Sequence, residues 1–135
     1  MTPHGLILCD DLIFYSRVAG AARAAGLIVR QAKSMADLIA LAKLAAPNGV
    51  ILDLQNPGLE LPALLAELKS MCVTMPRVIA YGSHVEAPAL RAARQAGCDR
   101  VMPRSQFAEE LETAIADWLQ PVGNEDILRA AGIET

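Results

Sequence analysis

A chain of 135 residues, 53% hydrophobic and 20% charged, is long enough to form one domain around its own core without a disulfide or metal staple. Its formal net charge of −3 argues against nucleic-acid binding through a broad basic surface. No apolar run reaches the roughly 18–20 uncharged residues that a membrane span requires, and the start "MTPHGLIL" has neither a basic n-region nor a signal cleavage site. The cysteines, Cys9, Cys72 and Cys98, are an odd number with no CxxC pair, which fits reduced thiols in a cytoplasmic protein better than a disulfide framework or zinc site.

The first apolar run, "GLILC", ends in two adjacent aspartates, Asp10 and Asp11. A helical pattern follows over 12–25 and stops at Gly26, where a left-handed residue is wanted. After the run "GLIVRQA", Ser34 and Asp37 form a capping-box pattern that opens a helix over 35–46. The third run, "GVILDL", carries Asp53, and a turn at "QNPG" leads to a helix over 61–70. The fourth, "RVIAYG", passes through Ser83 and His84 to Pro88, which suits the first turn of a helix over 88–96 that ends at Gly97. The fifth, "DRVM", precedes a helix over 106–119, in which Phe107, Leu111, Ile115 and Leu119 recur every four residues. The runs are rich in Val, Ile and Leu without clean alternation, as expected of strands buried on both faces. Five such strands alternating with five helices predict an α/β fold with a doubly wound parallel sheet. Phe107 and Trp118 are expected in the core, with Cys98 as a small buried apolar residue. The domain is expected over 1–120, with a C-terminal tail over 121–135 in which "NEDILRAAG" has the pattern of a short helix.

In folds of this kind ligands sit at the carboxyl ends of the strands. Asp10 and Asp11 stand at the end of the first strand and Asp53 at the end of the third. If those strands are neighbours, the three carboxylates converge, and their repulsion raises a pKa unless a cation joins them. Hard oxygen ligands of this type favour Mg²⁺.

The stretches "LCDDLIFYSR", "ILDLQNPG" and "AGCDRVMPRSQF" together resemble the receiver domain of bacterial two-component response regulators, over residues 5–119. The resemblance implies a flavodoxin-like fold with strand order 2-1-3-4-5. It implies Mg²⁺ held by Asp10, Asp11, Asp53 and the backbone carbonyl of Gln55, with Asp53 accepting a phosphoryl group from a histidine kinase or phosphotransfer protein. Output would pass through an unidentified protein partner or through a homodimer built on the fourth and fifth helices. Catalysis would extend no further than the domain's own phosphorylation and dephosphorylation.

The chain departs from the family pattern where the phosphoryl group is read. The hydroxyl position falls on Gly82, with Ser83 next to it; the aromatic position falls on Val101; and the lysine position falls on Arg104, followed by Ser105 rather than proline. An arginine keeps the charge but brings a planar fork in place of a point charge, and a fixed pair between Arg104 and Asp53 is one expectation. The leading reading is a stand-alone receiver-like signalling domain. The alternatives are a pseudo-receiver that binds partners without being phosphorylated and, more remotely, a small Mg²⁺-dependent hydrolase.

Overall fold

The computed structural model describes residues 4–121. Five strands, β1 (His4–Leu8), β2 (Ile28–Ala32), β3 (Gly49–Asp53), β4 (Arg77–Gly82) and β5 (Arg100–Pro103), alternate with five helices. These are α1 (Leu12–Ala24), α2 (Met35–Leu44), α3 (Leu61–Met71), α4 (Ala87–Ala96) and α5 (Arg104–Leu119). The sheet is parallel throughout, in the order 2-1-3-4-5 that the family resemblance implies. The C-terminal tail beyond residue 121 lies outside the described residues.

The continuous apolar runs are explained by burial on both faces. Ile7, Ile51, Ile79 and Met102 point into one core with α1 and α5, where Phe14, Val18, Phe107, Leu111 and Ile115 meet them. Their strand neighbours Leu6, Leu8, Val50, Leu52 and Val78 fill the other core with α2 and α3. Phe107 is fully buried, and a side chain of that size contributes about 1.5–3 kcal/mol by leaving water. Trp118 is buried as expected, whereas Cys98 is only half-buried.

The punctuation behaves as the sequence predicts. Gly26 and Gly97 take positive φ, at 78° and 106°. Ser34 caps α2 by accepting the Asp37 N–H at 3.1 Å. Helix α5 starts two residues earlier than its periodicity indicates, because Pro103 is extended (φ −60°, ψ 150°) and Arg104 is already helical. Helix α2 stops at Leu44, since Ala45 is extended ahead of Pro47. At the amino edge of the sheet, the missing side chain of Gly49 admits the end of α5. A Cβ there would lie 2.3 Å from the Trp118 carbonyl oxygen.

Candidate functional site

Parallel strands bring the carboxyl ends of β1, β3, β4 and β5 to one edge, and the acids expected from the sequence emerge there. The Cys9 N–H continues the β1 ladder with a 3.0 Å bond to the Ala32 carbonyl, after which the chain turns. Asp10 is exposed. Asp11 is the N-cap of α1, and its Oδ1 accepts the Phe14 N–H at 3.0 Å. An anion satisfying a helix N-terminus is favourable in its own right, so one member of the acidic pair has a structural task.

Asp53 closes β3 directly beside Tyr81 of β4 in the sheet register. Its Oδ1 accepts the Gln55 N–H at 2.9 Å, and its own carbonyl accepts the Asn56 N–H at 3.0 Å. The loop that carries Gln55 is further fixed by Asn56, which is buried and donates from Nδ2 to the Lys33 carbonyl at 3.1 Å.

Arg104, the first residue of α5, reaches across to α1. Its guanidinium lies 3.0 Å from Asp11 Oδ2, and its Cζ sits 4.1 Å from the centroid of the Phe14 ring. Asp11 and Phe14 are three apart at the start of one helix, so a single side chain meets both. Arg104 therefore pairs with Asp11, where the sequence placed its partner at Asp53. The earlier start of α5 is the reason, because it puts Arg104 over the first turn of α1. Beneath Phe14 lie Tyr81 at 5.1 Å and Phe107 at 5.7 Å between ring centroids, and Trp118 stacks on Phe107 at 5.1 Å.

The charges act on one another. Partial burial pushes the Asp53 carboxyl above the ordinary aspartate value; the Gln55 N–H and the Arg104 charge oppose this, while Asp10 and Asp11 add to it. The Phe14 N–H, and then Arg104, hold Asp11 below that value. Burial, followed by the Asp53 charge, drives the Tyr81 phenol well above its usual range. That phenol oxygen and Asn56 Oδ1 are the buried side-chain atoms without a hydrogen-bond partner among the described residues. Both residues adjoin Asp53, one as its strand neighbour and one in the loop after it. Orphaned buried polar atoms are rare in folded proteins, and each calls for an explanation.

The remaining candidates stand further from the acids' bonding network. A Cβ at Gly82 would meet Leu90 and Leu54 at 3.4–3.5 Å, ordinary contact that a small side chain tolerates. The Ser83 hydroxyl accepts the Val85 N–H at 3.3 Å in a local turn. Val101 packs toward the core shared with α2 and α3, not into the aromatic group. His84 is exposed. Sequence reasoning missed Phe14 and Tyr81, which form the floor under Arg104 and beside Asp53. The i to i+3 spacing of Asp11 and Phe14 on a predicted helix was the available signal.

The oxygen donors have the right chemistry for a hard cation. As the side chains stand, however, no group of three His, Cys, Asp or Glu residues among those described is arranged to hold a metal ion. Asp11 has one oxygen in the α1 cap and the other on Arg104. Two larger clefts, about 520 Å³ beside α3 and about 440 Å³ between α1 and α5, are lined by none of these acids. No helix is long and apolar enough to cross a membrane among the described residues.

No protein-family model matches the chain, and no curated protein matches it by sequence. Solved structures do match. The receiver domain of NtrX from Brucella abortus is 25% identical, with a TM-score of 0.71 over 85% of this chain and 97% of that one. The longer NtrX chain of the same organism is 23% identical with a TM-score of 0.75 over 98% of this chain, which spans only 29% of that one. The phosphorylated cyanobacterial phytochrome response regulator RcpA is 17% identical, with a TM-score of 0.69 over 89% of this chain and 96% of that one. The strand order, the helices on both faces and these likenesses together show that the chain has the flavodoxin-like fold of response-regulator receiver domains.

Proposed function

We propose that this domain signals by accepting a phosphoryl group on Asp53 from a phosphohistidine donor and passes the change on through protein–protein contacts. The observation that carries this reading is the setting of Asp53. It ends a central strand, keeps one carboxylate oxygen out of its turn hydrogen bond, and is flanked by the two residues with orphaned buried polar atoms. A carboxylate is a weak nucleophile, so transfer to it relies on positioning and on offsetting negative charge. The Gln55 N–H fixes the orientation of the carboxylate, and Arg104 supplies positive charge to the pocket. In the transfer, an Asp53 oxygen forms the O–P bond as the bond from phosphorus to the donor imidazole breaks. Hydrolysis then releases orthophosphate and restores the carboxylate. Mg²⁺ remains part of this proposal as a cation that Asp10, Asp11, Asp53 and the Gln55 carbonyl would hold after rearrangement.

A second reading is favoured by the Arg104–Asp11 pair. A pocket already carrying its own cation suits a pseudo-receiver, a binding module that is never phosphorylated. The two readings separate when the full chain is incubated with Mg²⁺ and acetyl phosphate and its intact mass is measured. One added phosphoryl group, lost in Asp53→Ala, is the result expected of the first reading. An adduct that persists in Asp53→Ala removes the assignment of Asp53, and an unmodified native chain leaves the pseudo-receiver.

A further inference from the structure

We propose that Arg104 is a tethered counter-cation whose guanidinium competes with a divalent ion for Asp11, so that it sets how tightly the acid pocket binds such an ion. This rests on reading the three acids as one pocket, but not on Asp53 being phosphorylated.

Three features of the geometry carry it. First, both oxygens of Asp11 are committed, Oδ1 to the Phe14 N–H and Oδ2 to Arg104, each at 3.0 Å. The Oδ1 bond belongs to the α1 cap. The contact that an incoming ion would break is therefore the one to Arg104, between side chains 47% and 40% exposed. Second, the guanidinium has another anchor, the face of Phe14 at 4.1 Å. A planar, weakly hydrated cation is suited to lie on a ring while it bonds a carboxylate, and an ammonium is less so. Third, the base of the Arg104 side chain is held in place. It opens α5 immediately after extended Pro103, and Phe107 on the next turn is fully buried in contact with Phe14 and Tyr81. A cation carried on such a support need not be gathered from solution, which is why it competes despite its exposure. The charge of Arg104 also reaches Asp53, where it opposes the effect of Asp10 and Asp11. The arrangement accounts for a pocket with the right oxygens that is not arranged to hold a metal among the described residues.

The test is a Mn²⁺ titration of the full chain, followed by calorimetry and by broadening of the Asp10, Asp11 and Asp53 amide resonances. The native chain is compared with Arg104→Gln and Arg104→Lys. Arg104→Gln is expected to bind the ion about tenfold more tightly, which corresponds to about 1.4 kcal/mol. Arg104→Lys is expected to fall between Arg104→Gln and the native chain, since it keeps the charge but fits the Phe14 face less well. In the native chain, the Arg104 side-chain resonances should move as the ion binds. Equal affinity in Arg104→Gln and the native chain overturns the proposal, as does a lack of binding in both. Circular dichroism checks that each variant is folded, and Arg104→Lys decides alone if Arg104→Gln is not. No phosphoryl donor is present, so failure here is distinct from failure of Asp53 to be phosphorylated.

Discussion

Replacing Tyr81 by Phe should make the protein more stable, which is unusual for a change in a core. Tyr81 is 1% exposed and its hydroxyl has no hydrogen-bond partner among the described residues. A buried polar group left unpaired costs roughly 1–3 kcal/mol, and deleting it relieves that cost. Burial and then the Asp53 charge raise the phenol's pKa, with the nearby Cys9 sulfur a lesser cause, and sulfur is too poor an acceptor to satisfy the hydroxyl. The lower end of the range therefore applies, and Tyr81→Phe should gain about 1 kcal/mol. The ring contacts with Phe14 and Phe107, at 5.1 and 4.8 Å, are unchanged by the substitution. For a domain of this size that gain corresponds to a rise of roughly 3–6 °C in Tm. Urea unfolding followed by circular dichroism should show a higher midpoint with the same slope. A loss of about 1 kcal/mol or more would refute the reasoning, because it would mean that the hydroxyl is bonded in solution. If stability rises as expected, folding is not what holds a tyrosine at this position.

Gly49→Ala should lose at least about 2 kcal/mol in the same urea assay, the order expected of overpacking. Its Cβ would lie 2.3 Å from the Trp118 carbonyl oxygen and 2.9 Å from Leu119 Cδ2. Gly20→Ala is the internal control: nothing lies within 4 Å of its added Cβ, so it should gain about 0.5–1 kcal/mol as a helical alanine. A similar loss in both would refute the close approach of α5. Titration of side-chain carboxyl NMR signals should place Asp11 below the ordinary 3.8 and Asp53 above it. The contribution of Asp11 is then present above pH 3.8 and disappears as pH falls through its lower folded value. For Asp53 the sign is opposite: stability falls as pH rises from 3.8 through its raised folded value. An Asp53 midpoint below that of Asp11 would contradict the charge arrangement.

The succession of strands and helices was legible because the signals for it are local, whereas the strand order 2-1-3-4-5 came from the family resemblance. Val, Ile and Leu runs without alternation, left-handed glycines at 26 and 97, and Ser34 ahead of Asp37 each fix one element. The acids were legible for the same reason, since each terminates a strand. What escaped was the partnership across the sheet. Arg104 and Asp11 are 93 residues apart, and periodicity placed the start of α5 at residue 106. That error of two residues left Arg104 on a loop, free to point toward Asp53. Pro103 decides the matter, because an extended proline can immediately precede a helix whose first turn has no periodic apolar residue. Tyr81 was read as one more apolar strand residue, since a sequence cannot tell whether a buried hydroxyl finds a partner.

The aromatic group has an optical consequence. Trp118 is the only tryptophan in the chain, and it lies at one end of a column of rings that runs through Phe107 to Phe14, with the guanidinium resting on the far end. Its indole is buried, and no second tryptophan contributes to its emission. The molecule thus contains its own fluorophore, wired by van der Waals contact to the ion pair. Events among the carboxylates that move the guanidinium are expected to alter the ultraviolet emission of the unlabelled chain.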